Sequence, residues 1–263
     1  MANLRAIFAA FASAARIGFR DLAAAYTVAS WALAWMVRVI AQLVFFALFA
    51  RYVRDDEAAA SAAIGMAVLF AGIGGLSSIV ATTTERQSGT LGLLRAAPVP
   101  GLVVLLGRSC PWVLDGVATS TVAGYLVLGY LGRLTPALAI TLPAVAVSVA
   151  LAACALGCCI GAFVMHVPSA RSLALTLGYV VLAITSGAVA YPPMPVTPFG
   201  AILPVAHGLG ALRLAGAGGS PGAIASEIAA EGLVGLAWLI AAVATIEIAF
   251  ELGRRRGTLD FGT

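Results

Sequence analysis

Residues 138–164 read LAITLPAVAVSVALAACALGCCIGAFV, 27 positions without one charged side chain. A helix needs about 20 mostly apolar residues to cross the hydrocarbon of a bilayer, and this stretch exceeds that length. The rest of the chain is of the same kind. Of its 263 residues, 62% are hydrophobic and 10% charged, with a mean hydropathy of +1.04. A soluble domain carries about 25% charged residues and 45–50% apolar ones. A fold of this size in water has no way to hide so much apolar surface, so its solvent is lipid. That excludes a soluble enzyme, a free nucleic-acid binder and a disordered scaffold.

Five further stretches meet the same length criterion, giving candidate spans at 31–50, 62–80, 109–131, 138–164, 172–190 and 232–250. An even number puts both termini on one side. With that side cytoplasmic, its loops and tails hold Arg5, Arg16, Arg20, Arg86, Arg95, Arg108, Arg171, Arg254, Arg255 and Arg256. The other side holds Arg51, Arg54, Arg133 and Arg213, the first two beside Asp55, Asp56 and Glu57. This asymmetry obeys the positive-inside rule. The expected fold is therefore an all-α membrane protein with six transmembrane helices and both ends in the cytoplasm. Residues 1–28 precede the first span. There Leu4, Ile7, Phe8, Phe11, Ile17, Phe19 and Leu22 recur at three and four positions between arginines. This is the pattern of a helix lying in the membrane interface, with a juxtamembrane extension of the first span as the alternative. Residues 29–252 form the membrane domain and 253–263 a basic tail.

Every one of the 15 basic residues is arginine. A phosphate-binding loop of the form GxxxxGK[ST] needs its lysine, so the chain cannot hydrolyse ATP by that route. The four cysteines, Cys110, Cys154, Cys158 and Cys159, fall in apolar stretches and indicate no extracellular disulfide framework. A soft metal would suit three neighbouring thiolates. Gly157 and Gly161 beside them favour close helix packing instead, and no metal or other cofactor is expected on this chain. No cleavable signal peptide is evident, because arginines and Asp21 interrupt the first thirty residues.

Two connections stand out. Residues 82–100 contain ERQSGTLGLLRAAPVP. Ser88 or Thr84 is placed to cap a short helix, Leu91 and Leu94 share a face, and Pro98 and Pro100 stop it. Such a helix suits either a groove on a partner protein or the membrane interface. Residues 191–222 contain too many prolines and glycines to span and read as a re-entrant or interfacial hairpin covered by protein.

The string Glu85-Arg86-x-Ser88-Gly89-Thr90-Leu91-x-x-Leu94-x-x-x-Pro98-x-Pro100 resembles the cytoplasmic signature of ABC-2 type transporter permeases. Leu203-Pro204-x-x-His207-x-x-x-Ala211-Leu212-Arg213 is similar to that family's segment between its last two spans. The length, six spans, amphipathic N-terminus and basic tail fit as well, so the likeness covers nearly the whole chain. One departure is Gly92, where the family often has an acidic residue. The resemblance implies an exporter subunit of the bacterial cytoplasmic membrane that pairs with a second permease, as homodimer or heterodimer, and with two copies of a cytoplasmic ATPase. ATP and Mg would then be held by the ATPase. By the same carry-over residues 85–98 are a coupling helix. Glu85, Gly89, Thr90, Leu91, Leu94 and Pro98 are its ATPase-coupling residues, Glu85 pairing or positioning at the joint with the second span. The cargo class would be a drug, natural product, lipid-linked molecule or glycan.

Ionisable groups inside spans cost several kcal/mol unless partnered. Arg38 and Asp115 lie about seven and six residues into parallel spans, at similar depth, with Gln42 one turn above Arg38. They are candidates to line a path or gate, to clamp two helices, or, for Arg38, to snorkel. Glu247 and Glu251 share a helix face beside Arg254 and Arg255, where local ion pairing is the plainer reading. A rival function, a proton-coupled secondary carrier, would use Asp115 or Glu247. No spacing points to a nucleophile–base arrangement, so the chain is not expected to be an enzyme by itself, and no nucleic acid is expected as partner.

Overall fold

The helix starts at Val28, Asp56 and Pro136 are written in their capping residues. In the computed structural model, which describes residues 4–90, 99–185 and 198–256, helix α1 covers Leu4–Ala25. It is separated from the next by a break at Tyr26 and Thr27. Thr27 builds a reciprocal cap: its hydroxyl accepts from the Ser30 N–H at 3.1 Å, and the Ser30 hydroxyl accepts from the Thr27 N–H at 2.9 Å. The first span, α2 (Val28–Val53), thus begins as a new helix, and α1 is no extension of it. Asp55 caps α3 (Asp56–Leu76), its carboxylate accepting from the Ala58 N–H at 2.7 Å. Asp56 and Glu57 add negative charge at the positive end of the helix. After Ser77 the chain continues as α4 (Ser78–Gln87). Then follow α5 (Gly101–Tyr130), α6 (Pro136–Val164) and α7 (Arg171–Thr185). Thr135 caps α6 and Pro136 occupies its first turn. A short α8 (Pro198–Ala201), α9 (Ala206–Gly216) and the long α10 (Pro221–Arg256) complete the described chain. Among the described residues every element is helical.

Helices α3 and α6 form the centre, and most of their side chains are buried. Small residues let them approach their neighbours. A Cβ on Gly74 would stand 2.3 Å from the Gly116 Cα of α5, and one on Gly157 2.1 Å from the Ser78 hydroxyl oxygen. In lipid, where apolar burial drives little association, such backbone proximity is a main source of helix affinity. The Ser78 hydroxyl donates to the Cys154 carbonyl at 2.9 Å, tying α4 to α6. Cys154, Cys158 and Cys159 are buried and Cys110 is half-buried. Among the described residues no three metal-ligating side chains gather.

Among the described residues five helices are long and apolar enough to cross a membrane: Val28–Val53, Asp56–Glu85, Gly101–Tyr130, Pro136–Val164 and Pro221–Arg255. The sixth expected span, 172–190, is described only to Thr185 as a 15-residue helix, and its remainder lies outside the described residues. The outer helices show apolar side chains to their surroundings, Phe45, Phe49 and Tyr52 on α2 and Leu233, Leu236 and Ile240 on α10. In water such faces would associate; against acyl chains they are matched.

Two spans start more than two helical turns earlier than the hydropathy of the sequence places them. Helix α5 begins at Gly101 and not near Ser109, and α10 begins at Pro221 and not near Gly232. In both cases charged residues inside the helix, Arg108 and then Glu227 and Glu231, find partners on neighbouring elements. A charge then signals a tertiary contact, not a helix end.

Candidate functional site

At the inner joint, α4 ends in a Schellman cap. Gly89 adopts φ 67°, a left-handed conformation that glycine takes without strain. The Thr90 N–H then closes on the Glu85 carbonyl at 3.0 Å. The signature residues Glu85, Gly89 and Thr90 therefore stop a helix. Residues 85–87 are the last turn of α4 and do not open a separate helix at Glu85, and Thr84 and Ser88 flank that stop. Leu91, Leu94 and Pro98 lie outside the described residues.

The Glu85 side chain, 7% exposed, points away from solvent into an ion cluster. Its Oε1 meets Arg108 Nε at 3.0 Å, and Arg108 Nη2 reaches Asp21 Oδ2 of α1 at 3.0 Å. The Thr90 hydroxyl donates to the other Glu85 oxygen. Three elements are thereby joined through one guanidinium: the end of α4, the second turn of α5 and the last turn of α1. Contact between α1 and α5 is close. A Cβ on Gly18 would stand 2.7 Å from the Arg108 carbonyl oxygen, and one on Gly107 2.7 Å from that of Phe11. A recess of about 460 Å³ opens over the cluster between Asp21, Thr84 and Trp112.

Deeper in the bundle, Arg38 and Asp115 have different partners. Asp115 Oδ1 accepts from Trp31 Nε1 at 2.5 Å, and one turn on Trp35 Nε1 donates to the Thr119 hydroxyl at 3.3 Å. Arg38 lies over the Trp35 ring, 5.0 Å from its centroid. Among the described residues no ion pair joins Arg38 to Asp115. The Oε1 of Gln42 is buried and has no hydrogen-bond partner there. Glu247 is exposed on α10, whereas Glu251 binds Arg254 and Arg255 at 2.7 and 3.0 Å.

The outer hairpin is organised by a residue that hydropathy left inside a loop. Val205 stands at the N-cap position of α9 with φ 90°, a conformation costly for a β-branched residue. Its side chain has no acceptor to cap the helix. Glu231 of α10, fully buried, does so instead. Its two oxygens accept from the Val205 N–H at 3.0 Å and the Gly208 N–H at 2.9 Å. Both ends of a capping box are thus served by one carboxylate from another helix, placed where the helix dipole favours an anion. His207 Nδ1 lies 2.9 Å from Glu227 Oε2, one turn earlier on α10. Pro204 is buried ahead of the cap, and Arg213 is half-buried on α9. Trp238 Nε1 adds a bond to the Ile202 carbonyl at 2.7 Å.

The sequence-derived candidates thus fall into three separate places: the inner joint, the Trp31–Asp115 level, and the outer hairpin. Arg108, Asp21, Trp31, Trp35, Glu227 and Glu231 belong to these places and were not among the candidates. A signal existed for the glutamates, since Glu227 and Glu231 stand four apart and share a helix face just as Glu247 and Glu251 do. Starting the last span at 232 hid it.

Among the described residues the geometry is all-helical, with five helices long and apolar enough to cross a membrane. Compared with known proteins, the chain matches no family model, no curated protein and no solved structure.

Proposed function

We propose that the chain is the permease subunit of an ATP-driven exporter of the ABC-2 type, with six spans in a bacterial cytoplasmic membrane and both termini in the cytoplasm. The observation that carries this reading is the inner joint. Glu85, Gly89 and Thr90 of the Glu85–Pro100 signature stand where α4 stops, and Glu85 is ion-paired through Arg108 to two further helices. A push on the segment after Thr90 would reach α1, α4 and α5 together, as coupling to an ATPase requires. Leu91 and Leu94 supply the apolar contacts to that ATPase, and Pro98 ends the coupling segment. The chain itself contributes the path and receives force, while two partner ATPases hold ATP and Mg and a second permease completes the complex. The cargo is a drug, natural product, lipid-linked molecule or glycan.

Purification of the tagged full chain from its native membrane in mild detergent, with mass spectrometry of co-purifying proteins, tests this. The expected result is a stoichiometric soluble partner containing GxxxxGK[ST] that is lost on Leu91→Asp. A chain that comes out alone and transports without ATP, in a manner abolished by an uncoupler, would replace this reading with the proton-coupled carrier using Asp115 or Glu247.

A further inference from the structure

Three of the chain's four tryptophans converge on one cavity. Trp31, Trp35 and Trp112, with Tyr26 and Tyr179, wall a space of about 60 Å³, and Asp115 is its one acidic residue. The first two tryptophans lie on a π-helical segment of α2, Trp31–Met36, a departure from α-helical winding that is frequent at functional sites. Their indole N–H groups form two rungs to α5, Trp31 to Asp115 and Trp35 to Thr119. The Asp115 carboxylate thus accepts a neutral donor, while the nearest guanidinium of α2, that of Arg38, lies over Trp35. Among the described residues no ion pair involves Asp115. A carboxylate at membrane depth without a cation of its own is costly, and aromatic walls are the surroundings that attract an organic cation.

A second feature adjoins this cavity. An apolar groove of about 320 Å³ runs between the end of α1 and the flank of α5, lined by Phe19, Val28, Pro111, Leu114 and Ala118. Leu22, Tyr26, Trp31 and Asp115 line both spaces, so the carboxylate stands at their junction. Phe19, Val28 and Leu114 are exposed, which opens the groove to the acyl region of a bilayer.

We propose that the two spaces together bind an amphipathic amine: its ammonium head at Asp115 within the aromatic walls, its hydrocarbon tail in the groove. The cavity's size sets the head as a compact ammonium, and the groove requires an apolar chain. As the entry point of exported cargo this site rests on the exporter reading. As a binding site it needs this chain alone.

The test uses the purified full chain in phosphatidylcholine nanodiscs without any ATPase. Because three of its four tryptophans wall the cavity, intrinsic fluorescence reports occupancy. Dodecylamine should give a saturable change, and dodecanol, which has the same tail without the charge, should bind about tenfold more weakly. Asp115→Asn should erase that difference. Should Asp115→Asn fail to fold, Ala118→Phe, which narrows the groove and leaves the carboxylate untouched, should weaken dodecylamine while methylammonium binding is unchanged. Nanodiscs containing phosphatidylethanolamine separate the two sources of such an amine. A dodecylamine response suppressed there identifies an amine-headed lipid as the occupant, and one that persists identifies a free amphipathic amine. Dodecanol binding as tightly as dodecylamine, or a charge preference retained in Asp115→Asn, would overturn the proposal. Absence of a co-purifying ATPase would instead defeat the exporter reading and leave this binding result standing.

Discussion

The inner joint and the outer hairpin each bury a glutamate, and they satisfy it in different ways. Glu231 meets two backbone N–H groups of one helix end, whose positions are fixed by the helix itself. Glu85 meets a guanidinium on a long side chain, which in turn holds Asp21 of a third helix. A carboxylate held by backbone amides locks one conformation, since moving it leaves two buried donors unsatisfied. A carboxylate held through an arginine tolerates relative movement of the helices, because the guanidinium has several donors and a flexible stem. The α9 cap is thus held rigid, whereas the Glu85–Arg108–Asp21 cluster would stay connected under relative movement of its helices.

Glu231→Ala should give the largest loss. It removes the cap of α9, orphans two buried N–H groups and leaves the strained Val205 unsupported. A destabilisation of about 3 kcal/mol is expected, read as the midpoint of unfolding by sodium dodecyl sulfate in mixed micelles. Glu231→Gln, which keeps the shape and one acceptor oxygen but sets an NH2 donor against the other N–H, should lose about half as much or somewhat more. A Glu231→Gln variant as stable as wild type would mean that shape, and not the cap, is what Glu231 provides.

Arg108→Ala comes next. It leaves Glu85 buried without its cation and disconnects α1, for an expected cost of about 2 kcal/mol in the same assay. The comparison sharpens in the double variant. With Glu85→Gln already present, Arg108→Ala should cost clearly less, because no buried charge remains to be orphaned. Additive losses would show that the two residues act independently and would remove the joint from the comparison.

Val205→Gly should act in the opposite direction. Glycine adopts φ 90° without the clash of a β-branched side chain, so relief of strain should stabilise the hairpin by about 1 kcal/mol. Loss of the Val205 side chain, which is fully buried, works against this gain. Hydrogen exchange at α9 isolates the local effect: slower exchange of its first turn is the expected outcome, and faster exchange would show that packing outweighs strain here.

The legibility of these regions in the sequence differs for a physical reason. Membrane class, helical content and the central span around residues 138–164 follow from hydropathy, because lipid imposes one rule on every exposed residue. Gly89 in the signature was visible as a residue type, but its role as a left-handed helix stop depends on Glu85 accepting from Thr90. Glu231 was not legible at all as a cap, since its two partners are backbone groups 26 and 23 positions earlier. Backbone donors carry no side-chain signature. The early start of α5 was hidden for a related reason: Arg108 raises the polarity of its window, and only tertiary pairing makes it compatible with a helix interior. Asp115 and Arg38 were read as lying at one depth, whereas Asp115 is bonded to Trp31, seven positions before Arg38. That indole partner was not legible, because tryptophan in an apolar run reads as hydrophobic mass until its donor finds an acceptor.

The smallest effect belongs to Asp21. Its carboxylate contacts the same guanidinium as Glu85, at the same 3.0 Å, yet 59% of its side chain is exposed. Water already solvates it, so the pair returns little beyond its geometry, and Asp21→Asn should change stability by about 0.5 kcal/mol. The readout that separates a weak brace from an idle surface contact is salt. The wild-type advantage over Asp21→Asn should vanish between 50 mM and 500 mM salt, as screening shortens the reach of an exposed pair. The advantage of Arg108 over Arg108→Ala should persist, since Glu85 is shielded from ions. If both advantages fell together, Glu85 would be as accessible as Asp21, and the contrast between an enclosed pair and its exposed brace would fail at the inner joint.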